Sequence, residues 1–314
     1  MEPAGIRSTV TVVIPCFNQA RYLAEAVKSA HTQTHPPIEC IVVDDGSTDD
    51  TSDVAARLGA RVIRQPNRGV SAARNAGLAQ ARGELVVFLD ADDVLLQDAL
   101  ARGADALTAN RDIDAVVSRC EAMDEWGTPI AVSHHEVDPD NLYRGWLSRN
   151  FVWTPGAAMF RRSALIDLGG FCVDYGPAAD LALYLRLARD ERIAYIPGYS
   201  VRYRQHDESM SRNPALMLRA TQLALRRESR EAPLQARADI KRGRREWCDW
   251  YGEQIVHYVR RAWHARTWTL AHLNATLVLI WNCPRLVLQH VIRKTARSIR
   301  TVVRLPSTIG RASR

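Results

Sequence analysis

The chain has 314 residues, 46% of them hydrophobic and 25% charged, a globular composition with room for one large or two modest domains. Its net charge of +7 is lopsided: Gln254 to Arg314 carry eleven Lys and Arg and no acid, which leaves −4 for residues 1–253. A mildly acidic front part argues against a nucleic-acid enzyme with a basic active face, and the basic tail argues for an anionic partner of its own.

Met1 to Thr9 lacks the charged-then-apolar pattern of a secretory signal. No apolar run reaches the ~18 residues that a spanning helix needs. The six cysteines are scattered without a Cys-x-x-Cys, and Cys16 and Cys40 sit beside apolar runs as small hydrophobes. Together these predict a reducing, cytoplasmic setting.

Thr9 to Ile14 is an apolar, β-branched run ended by Pro15. Asn18 is placed to cap a helix with Tyr22, Leu23, Ala26, Val27 and Ala30 on one face. A second strand, Glu39 to Val43, runs into Asp44-Asp45-Gly46-Ser47-Thr48, where Gly46 permits a tight turn and Ser47 or Thr48 can cap a helix through Leu58. A third strand surrounds Val62-Ile63, and Asn67-Arg68-Gly69 turns into a helix from about Ser71 to Ala81. Next comes Leu85 to Leu89, five apolar residues that read as a strand buried on both faces. A helix through about Ala109 and a strand at Ala115 to Ser118 follow. The alternation predicts a doubly wound, mostly parallel sheet with helices on both faces and right-handed crossovers.

Ligands bind outside the carboxyl ends of strands in such sheets. Three carboxylates, Asp90, Asp92 and Asp93, crowd the end of the Leu85 strand. They repel one another unless a cation sits among them, and their oxygens suit Mg²⁺ or Mn²⁺. The plainer reading is an acid-dressed helix N-terminus. Pro15-Cys16-Phe17 and Asp44-Asp45 open on the same rim. Phe17 is suited to stack a base, and Asp45 to accept from a ring N–H or merely to hold a turn. Arg74, early in its helix, reaches toward a diphosphate or stays solvated.

Val13-Ile-Pro-Cys-Phe-Asn18, Val42-Val-Asp-Asp-Gly-Ser-Thr-Asp49, Asn67-Arg-Gly-Val-Ser-Ala-Ala-Arg-Asn-Ala-Gly77 and Phe88-Leu-Asp-Ala-Asp-Asp93, in this order and spacing, resemble the family-2 glycosyltransferases. The resemblance implies a GT-A fold that binds a nucleoside-diphosphate sugar, with a divalent metal bridging its diphosphate. It makes Asp90-Ala91-Asp92 the metal and ribose site, with Asp92 on the metal, and Asp45 the reader of the base. Pro15, Phe17 and Arg74 complete the expected donor site. Nothing resembles Gly-x-Gly-x-x-Gly, which argues against a nicotinamide enzyme.

Residues 119–150 read as a hairpin or meander. Arg161 to Phe171, ending in Gly-Gly-Phe, again resembles the family, where such a segment precedes the catalytic acid. That acid is Asp180, in the first turn of a helix bearing Leu181, Tyr184, Leu185 and Ala188; a bare helix N-terminal acid is the alternative. The family usually shows two acids here, and this chain has Ala179 in the first place. After a strand near Ile193 to Ile196, Arg202-Tyr-Arg-Gln-His-Asp-Glu-Ser-Met-Ser-Arg212 resembles a family loop that closes over the diphosphate. His206 is then a metal or phosphate contact, and Arg202, Arg204 and Arg212 neutralise phosphate; a surface histidine in a basic loop is the plainer reading.

The resemblance fades beyond Pro214. Residues 1–213 are expected to be the glycosyltransferase domain and 214–314 a helical, basic extension. Pro233 and Pro284 suit helix starts. On a helical wheel from Leu288, the residues Val291, Ile292, Ile299, Val302 and Val303 face one side, and Arg293, Lys294, Arg297, Arg300 and Arg304 the other. Such a helix suits an anionic bilayer surface and would bring the enzyme to lipid-linked acceptors on its cytoplasmic face. Packing of the stripe on the domain or on a second subunit is the alternative.

The resulting expectation is an inverting transferase that moves a sugar, from a UDP-sugar by resemblance, to a hydroxyl of a glycan or lipid-linked acceptor. Asp180 is the general base and a metal is held at Asp90/Asp92. A catalytically impaired nucleotide-sugar-binding protein, suggested by Ala179, and a nucleotidyltransferase that releases pyrophosphate are the competing readings.

Overall fold

The computed structural model describes residues 8–132 and 137–292. Its strands are β1 (Val10–Cys16), β2 (Glu39–Asp44), β3 (Arg61–Arg64), β4 (Leu85–Phe88), β5 (Val94–Leu95), β6 (Ala115–Met123), β7 (Pro129–Val132), β8 (Ala158–Arg161) and β9 (Ile193–Arg204). The helices are α1 (Ala20–His31), α2 (Thr51–Arg57), α3 (Val70–Gln80), α4 (Ala99–Ala109), α5 (Leu142–Ser148), α6 (Arg162–Asp167), α7 (Ala179–Arg189), α8 (Pro214–Glu231), α9 (Arg237–Ala265), α10 (Leu270–Asn282) and α11 (Pro284–Ile292).

The strands form one sheet in the order β3-β2-β1-β4-β8-β6-β9-β5, with β7 hairpinned onto β6. From β3 to β4 every pairing is parallel. All seven positions of β1 and all six of β2 are buried, as strands covered on both faces must be. Past β4 the sheet is mixed: β8 runs antiparallel to both β4 and β6, while β9 is parallel to β6. The expected mostly parallel sheet therefore holds for one half only. The chain between β6 and β8 is a hairpin and a short helix, and it returns β8 in the opposite direction.

Two helix starts differ from expectation. Asn18 adopts a left-handed backbone (φ 53°) and caps nothing. Its amide hydrogen-bonds to Ser47 Oγ, and its Oδ1 accepts from the Thr48 amide at 2.8 Å, tying the loop after β1 to the loop after β2. Helix α2 starts at Thr51 rather than after Ser47, because Ser47 and Ser52 instead hydrogen-bond to the buried Asp44 carboxylate. Gly46 turns the chain between them with φ 82°, and a side chain there would meet the Asn67 backbone. Both the strand expected at Ala115 to Ser118 and that near Ile193 to Ile196 are longer, at nine and twelve residues, because β6 and β9 pair with each other along most of their lengths.

No break in packing falls at residue 213. Helix α8 places Ala220, Ala224 and Leu225 in the main core, and α9 adds Ile240 and Trp247. Glu228 of α8 accepts from Tyr143 Oη at 2.7 Å and pairs with Arg189 of α7 at 3.2 Å. A second apolar cluster, including Leu218, Ile255, Ala275, Leu279 and Leu286, joins α8, α9, α10 and α11. Pro233 precedes a short 3-10 turn, and the long helix begins only at Arg237. Of the expected basic amphipathic helix, only Pro284–Ile292 is described, and it is helical; its basic face, Arg293 to Arg304, lies outside the described residues.

Candidate active site

The ends of β1, β2, β4 and β9 open on one rim, as the strand directions require. They enclose a cleft of about 400 Å³, within the ordinary range for a small-molecule site. Pro15, Phe17, Asp45, Arg74, Asp90, Ala91, Asp92, Asp180 and His206 all line it, whereas Asp93, Arg202, Arg204 and Arg212, also expected at the site, do not. Phe17 is 45% exposed, which leaves its ring free to stack.

Asp45 is buried and already engaged. It accepts from Gln65 Nε2 at 2.7 Å and the Arg68 amide at 2.9 Å through Oδ1, and from the Gly69 amide at 2.7 Å through Oδ2. Three of its roughly four acceptor positions are filled, so it orders the loop before α3 and keeps one lone pair for a ligand.

Arg74 is buried rather than solvated, at 6% exposure. Its Nη2 binds Asp90 Oδ1 at 2.7 Å, and its guanidinium lies 5.3 Å from the centre of the Phe171 ring. Burial works to lower its pKa, but the charges of Asp90 and Asp180 outweigh burial and keep it charged. Arg74 thus pairs with Asp90 at the cleft wall, near enough to Asp180 for the two charges to act on each other, instead of standing free on the rim.

Asp92 Oδ2 lies 2.9 Å from His206 Nε2. Although β9 is longer than expected, it delivers the His206 loop directly over the Asp-x-Asp turn. Asp93 is fully buried; burial first, then the charges of Asp92 and Asp90, push its carboxyl well above the usual range. Its Oδ1 accepts the Arg204 amide at 2.9 Å. It fastens β9 to the turn and is not a cleft residue.

Arg204 was expected to neutralise phosphate, and the structure overturns this. The residue is 1% exposed. Its guanidinium binds Glu25 at 2.7 Å and the carbonyls of Asp92 and Glu125, and it lies 4.9 Å from the Tyr22 ring centre. Arg202 pairs with Glu121 on the adjacent strand. Only Arg212 of the three stays exposed without an ion pair among the described residues.

Asp180 sits in the first turn of α7, 8% exposed. Its Oδ1 accepts the Leu181 amide at 2.7 Å, which leaves Oδ2 without a hydrogen-bond partner among the described residues. Burial pushes its carboxyl up to about 6, against the opposing pull of Arg74. A carboxylate held near neutrality in a cleft is suited to take a proton. Ala179 is buried and does not line this cleft; it borders a separate hollow together with Leu168 and Gly170.

Sequence reasoning missed Trp153 and Tyr203, which line the cleft with ring centres 6.4 Å apart, and Thr154, whose Oγ1 lies 3.5 Å from Asp90 Oδ2. Trp153 and Thr154 stand in an apolar run that gave no signal of a site; Tyr203 was hidden between two arginines.

Residues 11–169 match the family model described as Glycosyl transferase family 2, which is half of the chain. An uncharacterized glycosyltransferase of Nostoc sp. is 40% identical over 121 residues, 37% of each chain. The chain spans 14–37% of the length of this and the next three curated relatives. Among solved structures, the mannosyltransferase PcManGT of Pyrobaculum calidifontis, solved with GDP-Man and Mn²⁺, superposes with a TM-score of 0.60 at 20% identity, covering 89% of each chain. TarS 1-349 of S. aureus, solved with UDP, gives 0.57 at 18% identity, covering 88% of this chain and 81% of that one. At such identities the likeness establishes the GT-A fold alone. The family match, together with a rim that gathers its four motifs, shows that the chain belongs to glycosyl transferase family 2.

Proposed function

We propose that the protein transfers a sugar from a nucleoside-diphosphate sugar, a UDP-sugar in the first instance, to a hydroxyl of a glycan or lipid-linked acceptor, with inversion. The observation that carries this reading is Asp180: a buried carboxylate held up to about 6, in the same cleft as Phe17, Asp45 and the Asp-x-Asp turn. That PcManGT is solved with GDP-Man and TarS with UDP supports the class of donor.

The residues fit a divalent cation that arrives with the donor. Among the described residues no three His, Cys, Asp or Glu side chains form a closed cage. Asp92 and His206 instead make a two-residue half-site. Mg²⁺ characteristically takes one or two carboxylates and completes its shell with substrate phosphates. Asp92 and His206 would hold it, and when bound it neutralises charge on the departing diphosphate.

The chain's own residues do the rest. Phe17 stacks the base, and the remaining lone pair of Asp45 accepts from it. Arg74 fixes Asp90, and its positive charge favours the ionised form of Asp180. Asp180 Oδ2 takes the proton of the acceptor hydroxyl as that oxygen attacks the anomeric carbon opposite the leaving diphosphate. One displacement through an oxocarbenium-like state inverts the configuration. The impaired-enzyme reading rested on Ala179, which does not touch the cleft.

Asp180→Asn is expected to lower transfer by about 10²–10⁴-fold while donor affinity, read by calorimetry, stays nearly unchanged. An equal loss of donor affinity would make Asp180 a binding residue instead. Release of pyrophosphate from a nucleoside triphosphate, rather than of nucleoside diphosphate from a sugar donor, would favour nucleotidyl transfer.

A further inference from the structure

Helix α10 is amphipathic in an unusual sense: both of its faces are apolar. Its inward face, Ala275 and Leu279 with Cys283 just beyond, is buried against α8 and α9. Its outward face carries Leu270 (84% exposed), Leu273, Leu277, Ile280 and Trp281 (79% exposed). On an ideal helix these five fall within about 100° of arc. No charged residue lies anywhere in α10. Leu288 and Ile292 of α11 extend the exposed apolar surface past a bend of 103° between the two helices. A soluble surface does not present a stripe of this kind without a partner for it.

Three observations identify the partner. Trp263 and Trp268 precede α10 and Trp281 ends it, all exposed, and tryptophan favours the level of lipid headgroups. Arg266 stands in the turn before α10 and Arg285 in the first turn of α11, both exposed, in a stretch without an acid from Gln254 to Arg314. The helices are short and sharply bent: no single described helix is long and apolar enough to cross a membrane. A second copy of the chain fits less well, since a two-fold contact would bring the same arginine-flanked face against itself.

We infer that the outward face of α10, continued by α11, lies in the headgroup region of an anionic bilayer and holds the enzyme on its surface. This differs from docking by the tail helix alone: the anchor is built into the folded body, and the basic tail adds attraction. Apolar burial supplies depth, and the arginines supply preference for anionic lipid.

The test is flotation of the full-length protein with vesicles of phosphatidylcholine and of phosphatidylcholine mixed with phosphatidylglycerol. The wild type should float with the mixed vesicles and be washed off by high salt at alkaline pH. Leu277→Glu/Trp281→Glu should reduce the bound fraction on the order of tenfold or more, with unchanged circular dichroism and donor binding. Leu270→Glu, at the most exposed position, is the second variant should the double one not fold. Flotation unaffected by these substitutions would overturn the inference. So would a wild type that is dimeric in solution and made monomeric by them, or bound protein that resists the alkaline wash, which would mean insertion.

Discussion

Asp180 shows how one carboxylate carries both a benefit and a cost. Its carboxyl is held at about 6, against an ordinary value of 3.8. As base it must be ionised, so kcat/KM should fall with an acid limb near pH 6, read from a pH–rate profile. The raised value also bears on stability. Between about pH 4 and 6 the folded state keeps a proton that the unfolded chain has lost, so stability falls as pH rises through that window and is level above it. Asp180→Asn should therefore raise the melting temperature at pH 8, by up to about 3 kcal/mol of stability, and the gain should fade toward pH 4. A melting series at several pH values checks this, and a variant less stable at pH 8 contradicts it.

Asp90 and Asp92 are separable for a related reason. Asp92 faces His206, whereas Asp90 is tied to Arg74 at 2.7 Å. Asp92→Ala should abolish the difference in donor affinity with and without chelator, at little cost to the fold. Asp90→Ala should affect donor binding less but leave buried Arg74, whose Nε already lacks a partner, without its ion pair. A loss of about 1–3 kcal/mol in denaturant unfolding is expected. If chelator leaves donor affinity of the unmodified protein unchanged, the half-site at Asp92 does not bind metal.

Among elements, those built from local signals were legible in the sequence and those set by distant packing were not. Strands β1 to β4 announce themselves as apolar runs, and their parallel order follows from the intervening helices. The direction of β8 carries no local signature, because it depends on the route of the chain through residues 124–157. Arg204 and Arg202 read alike in sequence. What distinguishes them is Glu25, 179 residues away from Arg204, together with the enclosing carbonyls. Asn18 was read as a cap because its type fits one, but the loop after β2 competes for the same side chain. The cleft was legible because its residues lie at strand ends. Trp153 was not, because it enters from an irregular segment.

Helix α9 offers a test of how that packing is held. It crosses the end of α5 at Gly243, where an added Cβ would collide with the Leu147 carbonyl oxygen. One turn on, Trp247 Nε1 donates to the same oxygen at 3.0 Å. Gly243→Ala gains helix propensity but must push α9 off α5. A net loss of about 1–3 kcal/mol is expected, with a lower melting temperature. A neutral or stabilising result would mean that α9 is not seated on α5 as described.

At the scale of the whole molecule, the question is whether residues 214–314 are an appendage or part of the catalytic body. The sequence sets them apart as a helical, basic extension of the glycosyltransferase domain. Yet α8 supplies Ala220, Ala224 and Leu225 to the core that contains β1, β2 and β4, and Glu228 satisfies Tyr143 and Arg189 on the catalytic side. Cutting after Asn213 would expose that apolar surface and remove the Glu228 partner of Tyr143 and Arg189, and the exposed apolar area alone is a large effect against a typical stability of about 5–15 kcal/mol. The truncated chain should aggregate or lack a cooperative unfolding transition. Cutting after Ile292 removes seven of the eleven basic residues of the acid-free stretch and none of the residues in either apolar cluster. That shorter chain should melt at the wild-type temperature and bind donor equally well. Its flotation with anionic vesicles should fall by about 1 kcal/mol for each basic residue that reaches the surface and depend less steeply on salt. Residual binding should then respond to Leu277→Glu/Trp281→Glu, because the face of α10 remains. Cooperative folding of residues 1–213 on their own would instead make the helical region a true second domain.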